Sequence, residues 1–206
     1  MPRSSDRRGL SGGRALYRSK QDSYASQGFE DDTRQSQLGG MVVAYLGANQ
    51  SLPINTDTPL IFSVSQVNSL YTNLFMRGFM LAGDGTGFFV RKGGTYRASF
   101  QVFYNLLGAA QQTGSSILSI TRGVDALKLR ARFTNTDALN TGVFETAYTG
   151  IVDLLPGDFV QLTANPGAVI CNAEGITTAS NARGGTDFIV NSGLVLQEID
   201  LPAPLT

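Results

Sequence analysis

Histidine is absent from the 206 residues, tryptophan is absent too, and cysteine occurs once, at Cys171. Without imidazole the chain lacks the commonest general base, triad partner and zinc ligand at once. A single thiol can form neither an intramolecular disulfide nor a thiolate metal centre. In GAVICNA it reads as a small apolar strand residue, not a nucleophile. Carboxylates remain, but Asp84, Asp125, Asp137, Glu145, Asp153, Asp158, Glu174 and Asp187 are scattered, mostly in expected turns. No close pair of the kind glycosidases use is recognisable, and no EF-hand spacing supports calcium. The segment GDGTGF at 83–88 has the glycines of a phosphate-cradling loop, yet it leads into a strand and lacks the Lys-Ser/Thr ending, so it reads as a turn. No catalytic residue, metal ligand or cofactor is therefore expected, and the chain is read as a non-enzyme.

Long apolar runs are missing as well. No stretch approaches the length of a membrane span, and the start MPRSSDRRGLSGG lacks the apolar core of a signal peptide. The expectation is a product made soluble in the cytoplasm. Charge is sparse, at 16% of residues, and the formal net charge is zero. That zero hides an asymmetry: residues 1–20 carry +5, an acidic patch of Asp22, Glu30, Asp31 and Asp32 follows, and residues 41–206 carry −2. Residues 1–39 are rich in Ser, Arg, Gly, Gln and Asp and nearly free of aliphatics, which predicts an extended N-terminal arm. Ordering such a segment costs roughly 1–2 kcal/mol per residue in backbone entropy, so it needs something to hold it. Its anchoring residues are expected to be Arg3, Arg7, Arg8, Arg14, Tyr17, Arg18 and Lys20, against carboxylates or phosphates of neighbours.

What is present is β pattern. A 42% hydrophobic content suffices for a core, and 24 glycines suit a chain of many turns. In TGFFVRKGGTYRASFQVFYNL at 86–106, Tyr96, Ala98, Phe100, Val102, Tyr104 and Leu106 share one parity. Thr95, Arg97, Ser99, Gln101 and Asn105 take the other, with Phe103 as the one large apolar exception. In FETAYTGIVDLLPGDFVQLTA at 144–164 the alternation runs to Leu154, breaks at Pro156 and Gly157, and resumes at Val160, which predicts a hairpin. Eleven strands are predicted, at 41–48, 59–65, 74–82, 87–92, 95–107, 115–121, 126–133, 143–155, 158–164, 168–173 and 187–199. With no helical periodicity, these make an all-β, two-sheet jelly-roll sandwich over residues 40–206. In ALKLRARF, Leu127, Leu129, Ala131 and Phe133 are expected inside. Lys128, Arg130 and Arg132 are expected outside, as a solvated stripe paired with Glu145 or Asp153 across the sheet.

Four segments carry a resemblance. GGTYRASFQV resembles a family strand through Gly94, Tyr96 and Phe100, and Phe88 and Phe89 in GTGFFVRKGG resemble the approach to it. LLPGDFVQL is similar to a second strand through Leu154, Gly157, Asp158, Val160 and Leu162, and FIVNSGLVLQEI to the closing strand through Phe188, Ser192, Gly193 and Leu196. In this order, over about residues 41–200, they resemble the tumour-necrosis-factor-like and complement globular-head superfamily of jelly rolls. The lack of tryptophan, of a Gly-X-Y stalk and of paired cysteines points to a viral or bacterial version. The resemblance implies compact trimers, closed around a threefold axis by one apolar sheet face.

Apolar residues on the wrong parity say where that face is. Phe103, Phe159, Ile189, Val195 and Ile199 are expected to point outward and to mediate self-association, since an exposed cluster of that size is a liability on a monomer. In the last strand Phe188, Val190, Leu194 and Leu196 hold one parity and Ile189, Val195 and Ile199 the other, so both faces are apolar. Self-association plus an arm suggests a virion structural protein, such as a minor capsid, decoration, spike or vertex subunit, assembled in the host cytoplasm. Its partners would be copies of itself in a trimer and neighbouring capsid proteins, with nucleic acid as a candidate at the basic arm tip. The alternative is a bacterial surface or spore-coat head domain that binds a receptor or glycan.

Overall fold

A computed structural model of the chain describes residues 39–63, 66–68, 71–108, 111–136, 142–180, 186–189 and 192–199. The arm residues Arg3, Arg7, Arg8, Arg14, Tyr17, Arg18 and Lys20 lie outside them. Every regular element among the described residues is a strand. In chain order these are β1 (Met41–Tyr45), β2 (Gln50–Leu52), β3 (Thr58–Pro59), β4 (Gln66–Asn68), β5 (Tyr71–Thr72), β6 (Leu74–Arg77), β7 (Phe79–Leu81), β8 (Phe88–Val90) and β9 (Gly94–Leu106). They continue as β10 (Gln112–Arg122), β11 (Asp125–Asn135), β12 (Val143–Leu154), β13 (Phe159–Asn165), β14 (Cys171–Ala173), β15 (Thr177–Ser180), β16 (Thr186–Ile189) and β17 (Gly193–Glu198).

The larger sheet is built on β9. Along one edge β12 runs antiparallel for its whole length, from Val143 opposite Asn105 to Leu154 opposite Gly94. The other edge is shared by β17 and β14, and the sheet continues from β17 through β1 to β6 and from β14 to β2. The smaller sheet has the order β11-β10-β13-β8-β7, with β3 beside β8 on the same edge of β13. Two short pairs, β4-β5 and β15-β16, stand apart.

Alternation decides what fills the space between the sheets. On β9 the six residues of the predicted parity, Tyr96 to Leu106, are all buried, and they meet Leu118 and Ile120 of β10 and Val160, Leu162 and Ala164 of β13 in one core. Each large side chain so buried stabilises the fold by about 1.5–3 kcal/mol. The two buried tyrosines keep their hydroxyls satisfied. Tyr104 donates to the Ser115 carbonyl at 2.8 Å and pairs with the Ser116 hydroxyl at 2.6 Å, while Tyr96 donates to the Lys92 carbonyl at 2.7 Å. Burial, reinforced by Glu198, pushes the Tyr96 phenol up to about 12, so it stays a neutral donor.

Several expectations are corrected by the pairing. The stretch 144–164 is not a hairpin: β12 belongs to the larger sheet and β13 to the smaller. The reason is length, because β12 matches twelve residues of β9 whereas β13 is seven residues long. The turn between them carries the chain across the sandwich, with Gly157 at φ 93° where a side chain would be strained. Residues 74–82 likewise divide at Gly78 into β6 and β7, one in each sheet, and 187–199 divides into β16 and β17. Among the described residues 59–63 of the strand predicted at 59–65, only Pro59 is in a strand, although Leu60 and Phe62 are buried. Leu127 has the inward parity of β11 but is exposed, because it sits at the hairpin end of an edge strand. Short strands β2, β4, β5 and β15 were not among the predicted ones.

The crossing turn is clamped electrostatically. Asp158, 2% exposed, accepts bonds from Arg122 Nε at 2.9 Å and Nη2 at 2.7 Å and from the Leu155 amide at 2.8 Å. The Arg122 hydrogen bonds hold its carboxyl below the usual carboxylate range, against the opposing effect of burial. A depressed native pKa contributes stability that is present above the unfolded value, about 3.9, and lost as pH falls through the native one. Asp158→Asn is expected to lower the unfolding free energy by about 1–3 kcal/mol at pH 7 and to flatten the loss of stability below about pH 4. Urea denaturation of both proteins at neutral and acidic pH checks this, and coincident curves would contradict the clamp.

Candidate functional site

Because the core takes one parity of every long strand, the opposite parity of the larger sheet forms an outer face, and its rows can be read from the register. One row runs from Phe75 on β6 through Val43, Val195 and Ser99 to Thr149 on β12. Phe75 is 46% exposed, and Val43 and Val195 are half-buried. The Ser99 and Thr149 hydroxyls pair with each other at 3.1 Å, so this end is polar but satisfied. On one side the next row holds Arg77, Met41, Gln197, Arg97 and Ile151, the last 60% exposed. On the other it holds Tyr45, Gly193, Gln101 and Ala147. The middle of the face is therefore uncharged, with Arg77, Arg97 and Asp153 toward one margin and Glu145 toward the other.

The Tyr45 ring lies flat on this face. A Cβ at Gly193 would stand 2.3 Å from Tyr45 Cδ1 and 2.6 Å from the Ala44 carbonyl oxygen, so only glycine permits the close approach. Between Tyr45, Ser99, Gln101 and Val195 a hollow of about 110 Å³ remains, smaller than an ordinary ligand pocket.

The five residues expected to mediate association do not share a face. Phe103 and Val195 lie on the outer face of the larger sheet, Phe103 opposite Glu145, and Ile199 follows β17 on the same parity. Phe159 lies on the outer face of the smaller sheet, where its ring meets that of exposed Phe89 at 4.9 Å beside Met80. Ile189 is on β16, away from β17, and its side chain lies outside what is described. Phe75, Val43, Tyr45 and Ile151 share the outer face of the larger sheet with Phe103 and Val195 and were not singled out in the sequence. MVVAY is apolar on both parities, the same signal that singled out Val195, so β1 was legible on that criterion.

Other residues resolve simply. Cys171 is fully buried on β14 between Leu52 and Leu106, and burial pushes its thiol up to about 12, as befits a packing residue. Asp84 caps its turn by accepting from the Thr86 amide and hydroxyl at 3.1 and 2.9 Å, and GDGTGF leads into β8 as expected. Lys128, Arg130 and Arg132 are exposed on the edge strand β11, but Glu145 and Asp153 are on β12 in the other sheet. The expected cross-strand ion pairs do not form, and the residues opposite are Ser119, Ile117 and Ser115. Among the described residues no group of three or more potential metal ligands gathers.

No protein-family model matches the chain, and no curated protein matches its sequence. Solved structures do match its fold. Eiger TNF from S. frugiperda superposes with a TM-score of 0.50 at 12% identity, covering 82% of this chain and 97% of that one. Murine APRIL at pH 8.0 gives a TM-score of 0.49 at 13% identity over 78% of this chain and 99% of that one. With two antiparallel sheets and no helix among the described residues, the protein is an all-β sandwich of the tumour-necrosis-factor-like jelly-roll fold.

Proposed function

We propose that the protein is a virion structural subunit that associates with copies of itself through the outer face of the larger sheet and is tied to a capsid by its N-terminal arm. The observation that carries this reading is the uncharged middle of that face, where Phe75, Val43, Val195 and Tyr45 lie together without a charged neighbour in their rows. Contiguous apolar surface of this kind on a folded domain marks an interaction site. A second copy of the chain is its natural occupant, because charges of opposite sign flank the face and can meet across an interface between copies. Three copies is the number that the resemblance in the sequence implies. The arm supplies the second contact, since residues 1–20 carry +5 and meet acidic or phosphate groups on neighbouring components. The subunit performs no chemistry; it assembles in the host cytoplasm and functions in the particle.

Two experiments test this. Native mass spectrometry of the full chain is expected to give a trimer, and Phe75→Glu, which places a charge on a half-exposed position, a monomer with an unchanged circular-dichroism spectrum. A wild-type monomer at micromolar concentration removes the reading. In the second, the full chain is expected to sediment as assemblies larger than the trimer at low ionic strength, while a chain lacking residues 1–39 stops at the trimer. Identical sedimentation of the two denies the arm its role.

A further inference from the structure

The smaller sheet ends at β11, which pairs with β10 alone. Alternation sends Ala126, Lys128, Arg130, Arg132 and Thr134 to the outside of the sandwich, and all five are exposed. Three successive outward positions are therefore cations, one roughly every 7 Å along the strand. Other cations of the fold are engaged internally, Arg122 by Asp158 at 2.7 Å and Lys92 by Glu198 at 2.9 Å. Lys128, Arg130 and Arg132 have no ion-pair or hydrogen-bond partner among the described residues. A straight row of unneutralised charge on an outward sheet margin is a surface built to meet anions.

The surroundings of the row say what kind of anion fits. Acids bracket it instead of sitting within it. Asp125 and Asp153 lie with Arg122 around a hollow at the hairpin end. Toward the other end Glu145 follows Phe144, whose ring stacks on that of Phe133 at 5.3 Å. The outward residues of β10, from Thr113 to Thr121, and those of β11, from Ala126 to Thr134, include no aromatic side chain.

We propose that this row binds a linear sulfated polysaccharide, with Lys128, Arg130 and Arg132 each holding a sulfate. The guanidinium forks of Arg130 and Arg132 can take two oxygens of one tetrahedral anion, and Lys128 adds a point charge in line with them. The exposed Thr134 hydroxyl, next in the row, is a donor and acceptor for a sugar hydroxyl. A folded protein partner anchors through apolar side chains in well-packed pockets, and the exposed residues of this row offer it only the methyl groups of Ala126 and Thr134. Single-stranded nucleic acid needs aromatic platforms for its bases, and the face has none. A nucleic-acid duplex is wider than one strand and would bring phosphates against the bracketing Asp125, Asp153 and Glu145. One polysaccharide chain is narrow enough to lie along β11 between them. The row is on the smaller sheet, so it stands or falls independently of association through the outer face of the larger one.

The test uses the full chain, a fluorescent heparin-derived oligosaccharide as the probe, and the same oligosaccharide with its sulfates removed as the control. Anisotropy titrations are expected to show saturable binding of the probe at about 0.1 M salt, lost at about 0.5 M, and binding of the control at least about tenfold weaker. Because residues 1–20 also carry +5, the readout is the difference between variants. Arg130→Gln is expected to weaken binding about threefold, and the combined Lys128→Gln, Arg130→Gln and Arg132→Gln variant at least about tenfold. Tm is expected to stay unchanged in both, since the three side chains are exposed and unpaired. Arg91→Gln, which removes the same charge from the turn after β8, is expected to change the affinity by less than about twofold. The proposal is overturned if the sulfated probe does not bind or binds no better than its desulfated form. It is equally overturned if the triple variant binds as the unaltered chain does, if Arg91→Gln weakens binding as much as Arg130→Gln, or if the triple substitution weakens binding of duplex DNA or single-stranded RNA more than binding of the probe.

Discussion

The two-residue repeat of β9 is the constraint from which the rest of the molecule follows. Six consecutive positions of one parity, from Tyr96 to Leu106, are committed to the core, and β9 hydrogen-bonds to three other strands. A shift of one residue would turn all six outward, so the register of β12, β14 and β17 is fixed by burial as much as by backbone pairing. The same constraint expels the opposite parity. Whatever stands at 97, 99, 101 and 103, and at the register partners of these residues, must face away from the core. The outer face is thus the remainder of the packing solution, and its apolar content is what the core did not use.

How much of this was legible divides cleanly by range. The alternation of β9, β11 and β12 was read from local pattern, and the apolar residues so assigned are buried on β9 and buried or half-buried on β11 and β12, apart from Leu127 at a hairpin end. The partner of each strand was not legible. Pro156-Gly157 reverses the chain equally well within a sheet or between sheets, and the choice is made by β9, some fifty residues upstream, which offers β12 a longer match than β13 can. The same ambiguity joined β6 to β7 and β16 to β17, since an apolar run looks continuous when its two halves face one core from opposite sheets. Local period reports burial, and only long-range pairing reports which sheet does the burying.

The outer face shows the same division. Phe103 and Val195 were found because each breaks an alternation. Phe159 breaks one too, but in the other sheet, where it pairs with Phe89. Phase errors in single strands do not say whether two such residues share a surface. Phe75, Val43 and Val195 come into one row only through two successive antiparallel registers that link segments more than a hundred residues apart. The charges behave likewise. Arg130 and Asp153 are both exposed, yet they form no ion pair, because Asp153 lies beside Arg122 and Asp125 at the hairpin end while Arg130 stands farther along β11, opposite Ile117.

Polar groups inside the sandwich sort by whether the fold supplies their partners. Tyr104, Ser116 and Thr146 form a closed set of hydroxyls in the core, and Asp158 is fully engaged by Arg122 and the Leu155 amide. Such groups make the crossing and the strand alignment specific, because a wrong pairing would leave them unsatisfied. Gln112 and Asn135 occupy the same parity as these core residues but at the last rung, where the sheets open. At Gln112 an apolar residue would have closed the sandwich at lower cost, since leaving a buried carboxamide unpaired costs about 1–3 kcal/mol. Stability alone gives no reason for the glutamine.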